Sequence, residues 1–253
     1  MSNHKKFYIN GEWTDPADGV DFDVIHPGNE QPIATIALGS KTDVDRAVDA
    51  AMEAFKTWQF SSIEERVSLL QRMLEIYNAR AEEIVKMMPH EMGTTMSFSR
   101  EVHMPVGVGH MEAAIEAVKA HQFERPSMRG GSTLIDEPVG VVGMITPWNW
   151  PVNQIMIKVA PALAAGCTIV LKPSEYSPLT SIILAEVIHE AGCPAGVFNM
   201  VNGDGPGVGE AISSHPKIDM VSFTGSTRAG KAVTKAAADT IKRVSLELGG
   251  KSP

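Results

Sequence analysis

The chain has 253 residues, enough for one large α/β unit or two small domains, and its 43% apolar and 21% charged residues are typical of a folded globular protein. No uncharged run is long enough to cross a bilayer and the N-terminus lacks the apolar block of a secretory signal, so we expect a cytoplasmic protein with no membrane partner. A net charge of -8 without a basic stripe argues against a nucleic-acid partner, and two cysteines argue against a disulfide framework or a structural metal.

The N-terminal part of the chain is predicted to be a short strand region followed by helices. Apolar residues recur at helical spacing over residues 44–58, after a cap at Thr42 or Asp43. Two further helical patterns cover residues 62–86 and 111–121. All three patterns place charged residues on the opposite face, so each helix is expected to pack on the protein through one side.

Residues 120–138 are predicted to form an exposed β arm. Turn-forming residues occur at Pro126 and in the Arg-Gly-Gly stretch at 129–131, and a β-prone segment follows at 132–135. The arm therefore separates the helical N-terminal part from the more regular pattern that comes after it.

After the arm, short apolar runs rich in β-branched residues alternate with helical segments. This alternation predicts βαβ units, with a parallel sheet that is buried on both faces by helices. Ligands of such sheets bind at the carboxyl ends of the strands. The predicted strands cover residues 139–146, 168–172, 197–201, 218–224 and 243–248, and the predicted helices lie near 152–164, 178–191, 206–214 and 227–240.

The first two predicted strands end in polar residues that suit ligand binding. Asn149 lies in a stiff turn between prolines and tryptophans, where its amide could donate to an oxyanion, or could equally satisfy the backbone of a packed aromatic turn. Lys172 and Glu175 could together bind the hydroxyls of a ribose, or could form an ordinary exposed ion pair. The two motifs alone leave these alternatives open.

The next two strand ends are rich in glycine. Residues 202–209 could let a ligand approach the backbone, although they do not match the GxGxxG dinucleotide fingerprint, and simple loop flexibility would also explain them. Gly225 opens a strand–loop–helix segment that suits an anion. With Gly230 and Lys231 it also nearly matches the phosphate-binding P-loop, but Ala232 stands where that motif needs a hydroxyl for Mg²⁺.

The fifth strand ends in Glu247, which precedes two glycines and lies between apolar neighbours. Such a carboxylate could act as a base, although a single Glu at a strand end can also be an ordinary solvated residue. The choice depends on whether the five strand ends form one site.

Taken together, the ordered motifs resemble the aldehyde dehydrogenase superfamily. The resemblance covers essentially the whole chain and implies a Rossmann-like parallel sheet with helices on both faces, preceded by a mainly helical region. The motifs that carry it are ITPWNWP at 145–151, KPSE at 172–175, FTGST at 223–227 and LELGGK at 246–251, supported by YINGEW at 8–13 and HPG at 26–28.

The resemblance implies a nicotinamide coenzyme and a catalytic role for two residues. Asn149 would donate to the oxyanion, Glu247 would activate the nucleophile or the deacylating water, and Trp150 would border the aldehyde tunnel. Glu175 favours NAD⁺ over NADP⁺, although NADP⁺ stays possible. The residues implied to contact the coenzyme are Ile145, Thr146, Pro147, Trp148, Lys172, Ser174, Glu175, Gly205, Pro206, Gly209, Phe223, Thr224, Gly225, Ser226, Ala229, Leu248 and Gly249.

The chain differs from the family pattern because the family's nucleophilic cysteine has no counterpart in this sequence. The family's cysteine follows the Glu motif by a few tens of residues in a separate catalytic domain, whereas this sequence ends at Pro253. Cys167 and Cys193 lack neighbours that would activate a thiol, and are expected to be buried and structural. The expected division is therefore a discontinuous coenzyme-binding domain at 1–119 and 139–253, an oligomerisation arm at 120–138, and a catalytic domain beyond 253.

We therefore expect the full-length protein to be a homo-oligomer that oxidises a small aldehyde to a carboxylic acid with NAD⁺, without a metal. The 253-residue chain alone is expected to be inactive and to bind the coenzyme weakly. Two alternatives are a P-loop-like nucleotide hydrolase and a non-catalytic nucleotide-binding or assembly module. The sequence does not identify the aldehyde.

Overall fold

A seven-stranded, mainly parallel sheet organises the chain. The computed structural model describes residues 3–128 and 130–251. The sheet order is β11-β10-β7-β8-β9-β1-β2, and two hairpins, β3–β4 and β5–β6, lie outside it. The strands are β1 (Phe7–Ile9), β2 (Glu12–Thr14), β3 (Val20–Ile25), β4 (Pro32–Leu38), β5 (Glu124–Pro126), β6 (Thr133–Ile135), β7 (Val141–Ile145), β8 (Thr168–Lys172), β9 (Phe198–Met200), β10 (Met220–Gly225) and β11 (Arg243–Leu248).

The five strands predicted after the arm are present and pair in parallel, which confirms the predicted fold class. The strands β1 and β2 extend the sheet in the antiparallel direction beyond β9. The helices are α1 (Lys41–Trp58), α2 (Ile63–Ala79), α3 (Ala81–Met92), α4 (Met96–Phe98), α5 (Met104–Ala120), α6 (Pro151–Ala165), α7 (Leu179–Glu190), α8 (Glu210–Ser214) and α9 (Thr227–Ala237).

Several helix boundaries differ from the sequence prediction. The cap of α1 is Ser40 rather than Thr42 or Asp43, because the Asp43 carboxylate accepts the Ser40 amide (3.0 Å) in a capping box. The pattern over 62–86 is divided into two helices at Arg80, whose guanidinium forms ion pairs with Glu186 and Glu190 of α7. These ion pairs come from distant sequence, so periodicity could not reveal the break.

The third predicted helix also begins differently. A π-helical turn at Ser99–His103 leads into α5, which therefore starts well before residue 111. The segment predicted as a helix at 206–214 begins as a second π-turn, Gly205–Gly209, and continues as α8. Both turns carry one extra residue per turn relative to an α-helix, which sequence periodicity does not show.

The strands β7, β8 and β9 are buried on both faces, which explains why they are mostly apolar. Adjacent residues of one strand point to opposite faces, so Ile169 and Val170 are both fully buried in different clusters. One cluster is formed with α2, α5, α6 and α7, and the other with α1, α8 and α9. The carboxyl ends of the parallel strands thus lie at one edge of this layer.

The predicted arm is present as the hairpin β5–β6. Glu124 pairs with Ile135 and Pro126 with Thr133, while the guanidinium of Arg125 contacts the Asp136 carboxylate. The side chains of the hairpin strands are largely exposed. Arg129, which was part of the predicted turn signal, lies outside the described residues.

Candidate active site

An open cleft lies over one face of β7, β10 and β11, beside α6. Its volume is 1210 Å³, and it runs from the carboxyl ends of these strands down to Cys167. Nine residues that the sequence analysis selected line it, so the first, fourth and fifth motifs do converge. They are Pro147, Trp148, Asn149, Thr224, Gly225, Ser226, Glu247, Leu248 and Gly249.

Asn149 and Glu247 approach the cleft from opposite sides. Asn149 is exposed in the turn between β7 and α6, and none of the described residues hydrogen-bonds its side-chain amide. The alternative in which this amide merely satisfies the backbone is therefore wrong. Glu247 is exposed on β11, where it is paired in register with Thr224 of β10. An amide donor and a carboxylate base are thus both available to a ligand in the cleft.

The cleft also contains a cation that the sequence analysis missed. Lys158 of α6 is buried, and its Nζ donates to the Ser222 Oγ of β10 (2.9 Å). Burial lowers the pKa of Lys158, and the negative charge of Glu247 acts in the opposite direction. One signal was available, because Lys158 is the single charged residue of a 15-residue helix, about two turns beyond Asn149.

A second polar pair lies on the same wall. His110 of α5 and Asn153 of α6 are joined between Nε2 and Oδ1 (2.7 Å), and Asn153 lines the cleft. By contrast, Trp150 does not line it. The indole of Trp150 packs edge-on against His103 of the π-turn (ring centroids 4.9 Å apart) and lies beside Phe98 (6.4 Å). The structure therefore places Trp150 in an aromatic cluster with His103 and Phe98, and its place beside an aldehyde stays a prediction.

The second motif forms a buried ion pair next to the cleft. Lys172 Nζ lies 3.1 Å from Glu175 Oε2 and donates to the Pro173 carbonyl (2.9 Å), and the Lys172 side chain is only 4% exposed. The alternative of an ordinary exposed ion pair is therefore wrong. Burial lowers the pKa of Lys172, and the charge of Glu175 opposes that shift. Ser174 accepts a hydrogen bond from the Tyr176 amide (3.3 Å), so its hydroxyl stabilises the same loop.

The third motif lies against this ion pair. A Cβ built on Gly209 would be 3.8 Å from Lys172 Cδ and 4.0 Å from Ile145 Cδ1. Gly205 and Pro206 form the π-turn, which Asp204 caps by accepting the Gly207 amide (2.7 Å). The glycine-rich segment is thus helical backbone beside the Lys172–Glu175 pair, rather than an irregular loop.

The fourth motif forms the N-terminus of α9. The Ser226 Oγ accepts the Ala229 amide (3.2 Å), so this hydroxyl caps the helix. Gly230 allows α9 to approach β11, because a Cβ there would lie 2.6 Å from Leu248 Cδ2. Its spacing from Gly225, which resembled a P-loop, is thus explained by packing, and Lys231 is exposed on α9.

Three of the selected residues contribute backbone rather than side chain at the strand ends. Ile145, Thr146 and Phe223 are buried, and the side chains of Ile145 and Phe223 belong to the packed core. The Thr146 amide donates to the Lys172 carbonyl (3.2 Å), which joins the first and second motifs. The geometry thus explains why apolar residues occur in a motif at a ligand site.

The cysteines are not activated. Both are buried, and burial raises the pKa of Cys167 and raises that of Cys193 to about 12. Within residues 3–128 and 130–251, no cluster of His, Cys, Asp or Glu side chains could hold a metal ion. In the same ranges, no helix combines the length and apolar character that spanning a membrane requires.

In a mainly parallel α/β sheet, ligands bind at the edge where the strands have their carboxyl ends, and the polar motifs lie there. The sequence model of the aldehyde dehydrogenase family matches residues 13–253, and the chain belongs to this family. The same match covers the segment that resembled a P-loop.

Known proteins resemble the chain over its whole length. A 3-succinoylsemialdehyde-pyridine dehydrogenase of a Pseudomonas species is 47% identical over 253 residues, which are 100% of this chain and 53% of that protein. The crystal structure of an aldehyde dehydrogenase from Bartonella henselae has a TM-score of 0.97 and 48% identity, with 100% of this chain and 53% of that chain covered.

A third similar protein is a mutant of aldehyde dehydrogenase C from Pseudomonas syringae, which was crystallised with NAD⁺ and octanal. Its TM-score is 0.97 at 48% identity, covering 99% of this chain and 51% of that chain. The chain thus spans about half the length of the relatives that it matches.

Proposed function

We propose that this chain is the coenzyme-binding part of an enzyme that oxidises an aldehyde to a carboxylic acid with NAD⁺. The observation that carries the proposal is the convergence of Asn149 and Glu247 on one cleft. The solved relative that binds NAD⁺ and octanal supports the coenzyme and the substrate class. Residues 1–119 and 139–253 would form the coenzyme-binding domain.

The residues present fit the coenzyme. The buried Lys172–Glu175 pair offers a donor and an acceptor to the two hydroxyls of a ribose, and the negative charge of Glu175 disfavours a 2′-phosphate. The amides after Gly225 at the start of α9 suit a pyrophosphate. Gly209 lies beside Lys172, where the adenine ring is proposed to bind. NAD⁺ when bound serves as the hydride acceptor.

The roles of the catalytic groups follow from their chemistry. The Asn149 NH₂ would donate to the oxygen of the aldehyde as it becomes negatively charged. The Glu247 carboxylate would take a proton from the attacking thiol or from the water that releases the acid. The nucleophilic thiol is proposed to lie in the part of the relatives that this chain does not span, because Cys167 and Cys193 are buried with raised pKa values.

Calorimetry with NAD⁺ and ADP-ribose tests the binding half of the proposal. We expect both ligands to bind the 253-residue chain with dissociation constants of about a millimolar or lower, equivalent to about 4 kcal/mol. Lys172→Ala should abolish this binding, whereas Lys119→Ala, which changes an exposed lysine of α5, should not. Absence of heat with the unchanged chain would contradict coenzyme binding.

An aldehyde panel tests the catalytic half. The 253-residue chain should form no NADH from acetaldehyde, octanal or a semialdehyde. If it forms NADH at a rate that Glu247→Gln abolishes, the assignment of the nucleophile outside the chain is wrong.

The hairpin β5–β6 is proposed to join copies of the full-length protein into a homo-oligomer. Its strands expose Leu134 and Ile135, which a partner surface could cover. Sedimentation of the full-length protein carrying Leu134→Asp should show a smaller assembly than the unchanged protein. An unchanged assembly would remove the hairpin from the interface.

A further inference from the structure

The turn that carries Asn149 has few hydrogen bonds of its own. Pro147 and Pro151 lack an N–H group, and Trp148 is 54% exposed. The Trp150 carbonyl accepts the Gln154 amide (2.9 Å), which belongs to the first turn of α6. The orientation of the peptide between Trp148 and Asn149 must therefore be fixed from outside the turn.

Ser177 provides this external contact. Its Oγ donates to the Trp148 carbonyl (3.0 Å), and the residue is only 1% exposed. The carbonyl of Trp148 and the amide of Asn149 belong to one planar peptide unit. Fixing that carbonyl therefore fixes the plane from which the Asn149 side chain departs.

Ser177 is itself held firmly. Its amide donates to the Ser174 carbonyl (3.3 Å). Immediately after it, the two first amides of α7, those of Leu179 and Thr180, donate to the two carboxylate oxygens of the buried Glu91 (2.6 and 2.9 Å). The hydroxyl that contacts the turn thus projects from a segment anchored on both sides.

The loop that carries Ser177 also carries Glu175. The buried Lys172–Glu175 pair and Ser177 lie within six residues of one another, and the Thr146 amide bonds the Lys172 carbonyl (3.2 Å). Two hydrogen bonds therefore connect the end of β8 and the loop after it to the segment after β7, one at Thr146 and one at Trp148.

We propose that Ser177 is a positioning residue for Asn149, acting through the Trp148 carbonyl to hold the oxyanion donor in a fixed direction. This deepens the proposed function and rests on it, since the value of a fixed Asn149 is that a preorganised donor needs no rearrangement during the reaction. Ser177 itself touches neither the coenzyme nor the aldehyde in this scheme.

The test compares backbone order in the 253-residue chain and its variants by ¹⁵N relaxation. In the unchanged chain the Trp148 and Asn149 amides should have order parameters near the rigid value of about 0.85, and in Ser177→Ala they should fall below about 0.6. Ser177→Thr, which keeps the hydroxyl, should restore them. Ser214→Ala removes a comparable hydroxyl-to-carbonyl bond on the exposed side of α8 and should change nothing at the turn.

Binding of ADP-ribose distinguishes a positioning role of Ser177 from a general structural role. Its dissociation constant should stay within about twofold in Ser177→Ala, because the Lys172–Glu175 pair is unchanged. Order parameters at Asn149 that are unaffected by Ser177→Ala would overturn the inference. So would a loss of order that extends through β8 and α7 and that Ser177→Thr does not restore.

Two outcomes need a further measurement: a variant that does not fold, and a chain that does not bind ADP-ribose. If Ser177→Ala does not fold, Ser177→Cys retains the packing volume and replaces the hydroxyl by a weak donor, and the same loss of order is expected. If the unchanged chain binds no ADP-ribose, coenzyme binding fails, whereas the order parameters still decide whether Ser177 fixes Asn149.

Discussion

Lys158 on α6 donates its ammonium to the Ser222 hydroxyl on β10 at 2.9 Å, and this contact joins helix and sheet inside the cleft. The two residues are 64 positions apart, and both are at most 9% exposed. A buried cation is thus held by a neutral partner, with the Glu247 carboxylate as the opposing charge on the adjacent strand. Such an arrangement is costly in the absence of a ligand.

Lys158→Met should therefore leave the chain as stable as the unchanged protein, or more stable by about 1 kcal/mol, at neutral pH. Burial lowers the pKa of Lys158 below the ordinary lysine value of 10.5. Between the lowered pKa and 10.5, the unfolded chain therefore binds more protons than the folded chain. In this alkaline range the free energy of unfolding contributed by Lys158 rises with pH. In urea denaturation at several alkaline pH values, this rise in the free energy of unfolding should be smaller in Lys158→Met and unchanged in Lys119→Met. A variant strongly destabilised at pH 7 would contradict the account.

Glu91 should make stability depend on pH in the opposite direction. Burial raises the pKa of this carboxyl from 4.5 to about 7, against the lowering effect of its hydrogen bonds from Thr180 and Leu179. Between those values the folded chain keeps a proton that the unfolded chain has lost, so the contribution of Glu91 to stability falls as pH rises from 4.5 to about 7. Glu91→Gln should remove this slope in denaturation curves.

The same variant should also be less stable by about 1–3 kcal/mol at pH 5, because its NH₂ group would face the α7 amides that need acceptors. Glu112→Gln, on the exposed side of α5, is the matched control. Parallel pH profiles for Glu91→Gln and the unchanged chain would show that Glu91 does not titrate in this range.

Gly140 should tolerate no side chain. Its φ of +120° is unfavourable for any other residue, and a Cβ there would lie 2.0 Å from the Asp219 carboxylate, which accepts the Val141 amide (2.8 Å). Gly140→Ala should cost about 3 kcal/mol or more in urea denaturation. Gly109→Ala, at an open position of α5, should instead stabilise the chain by about 0.5–1 kcal/mol. Equal effects of the two changes would be inconsistent with the geometry.

Glu175→Gln should weaken the proposed preference for NAD⁺ over NADP⁺. Gln keeps an acceptor for the ribose but removes the negative charge that repels a 2′-phosphate. Calorimetry should show the ratio of the two affinities shifted towards NADP⁺ by about tenfold, or about 1.4 kcal/mol. Glu116→Gln, on the exposed face of α5, should leave the ratio unchanged. A preference for NAD⁺ that survives Glu175→Gln would mean that another group sets it.

The sequence predicted the parallel sheet because a strand buried on both faces is mostly apolar, as at Ile169, Val170 and Leu171 of β8. It also brought Asn149 and Glu247 to one cleft, since residues at the carboxyl ends of parallel strands meet at one edge. It could not identify Lys158, whose significance depends on Ser222 from a distant strand. Nor could it show that Trp150 packs against His103, because that contact depends on the π-turn that brings His103 against the indole.

The position of β11 at the border of the sheet has a consequence for handling the protein. Among the described residues no strand pairs with its outer side, so we expect edge-to-edge association in concentrated samples. Arg243 and Glu247 are exposed on β11, and their charges oppose such association. Replacing both with apolar residues should promote self-association through β11, and light scattering should then rise with protein concentration.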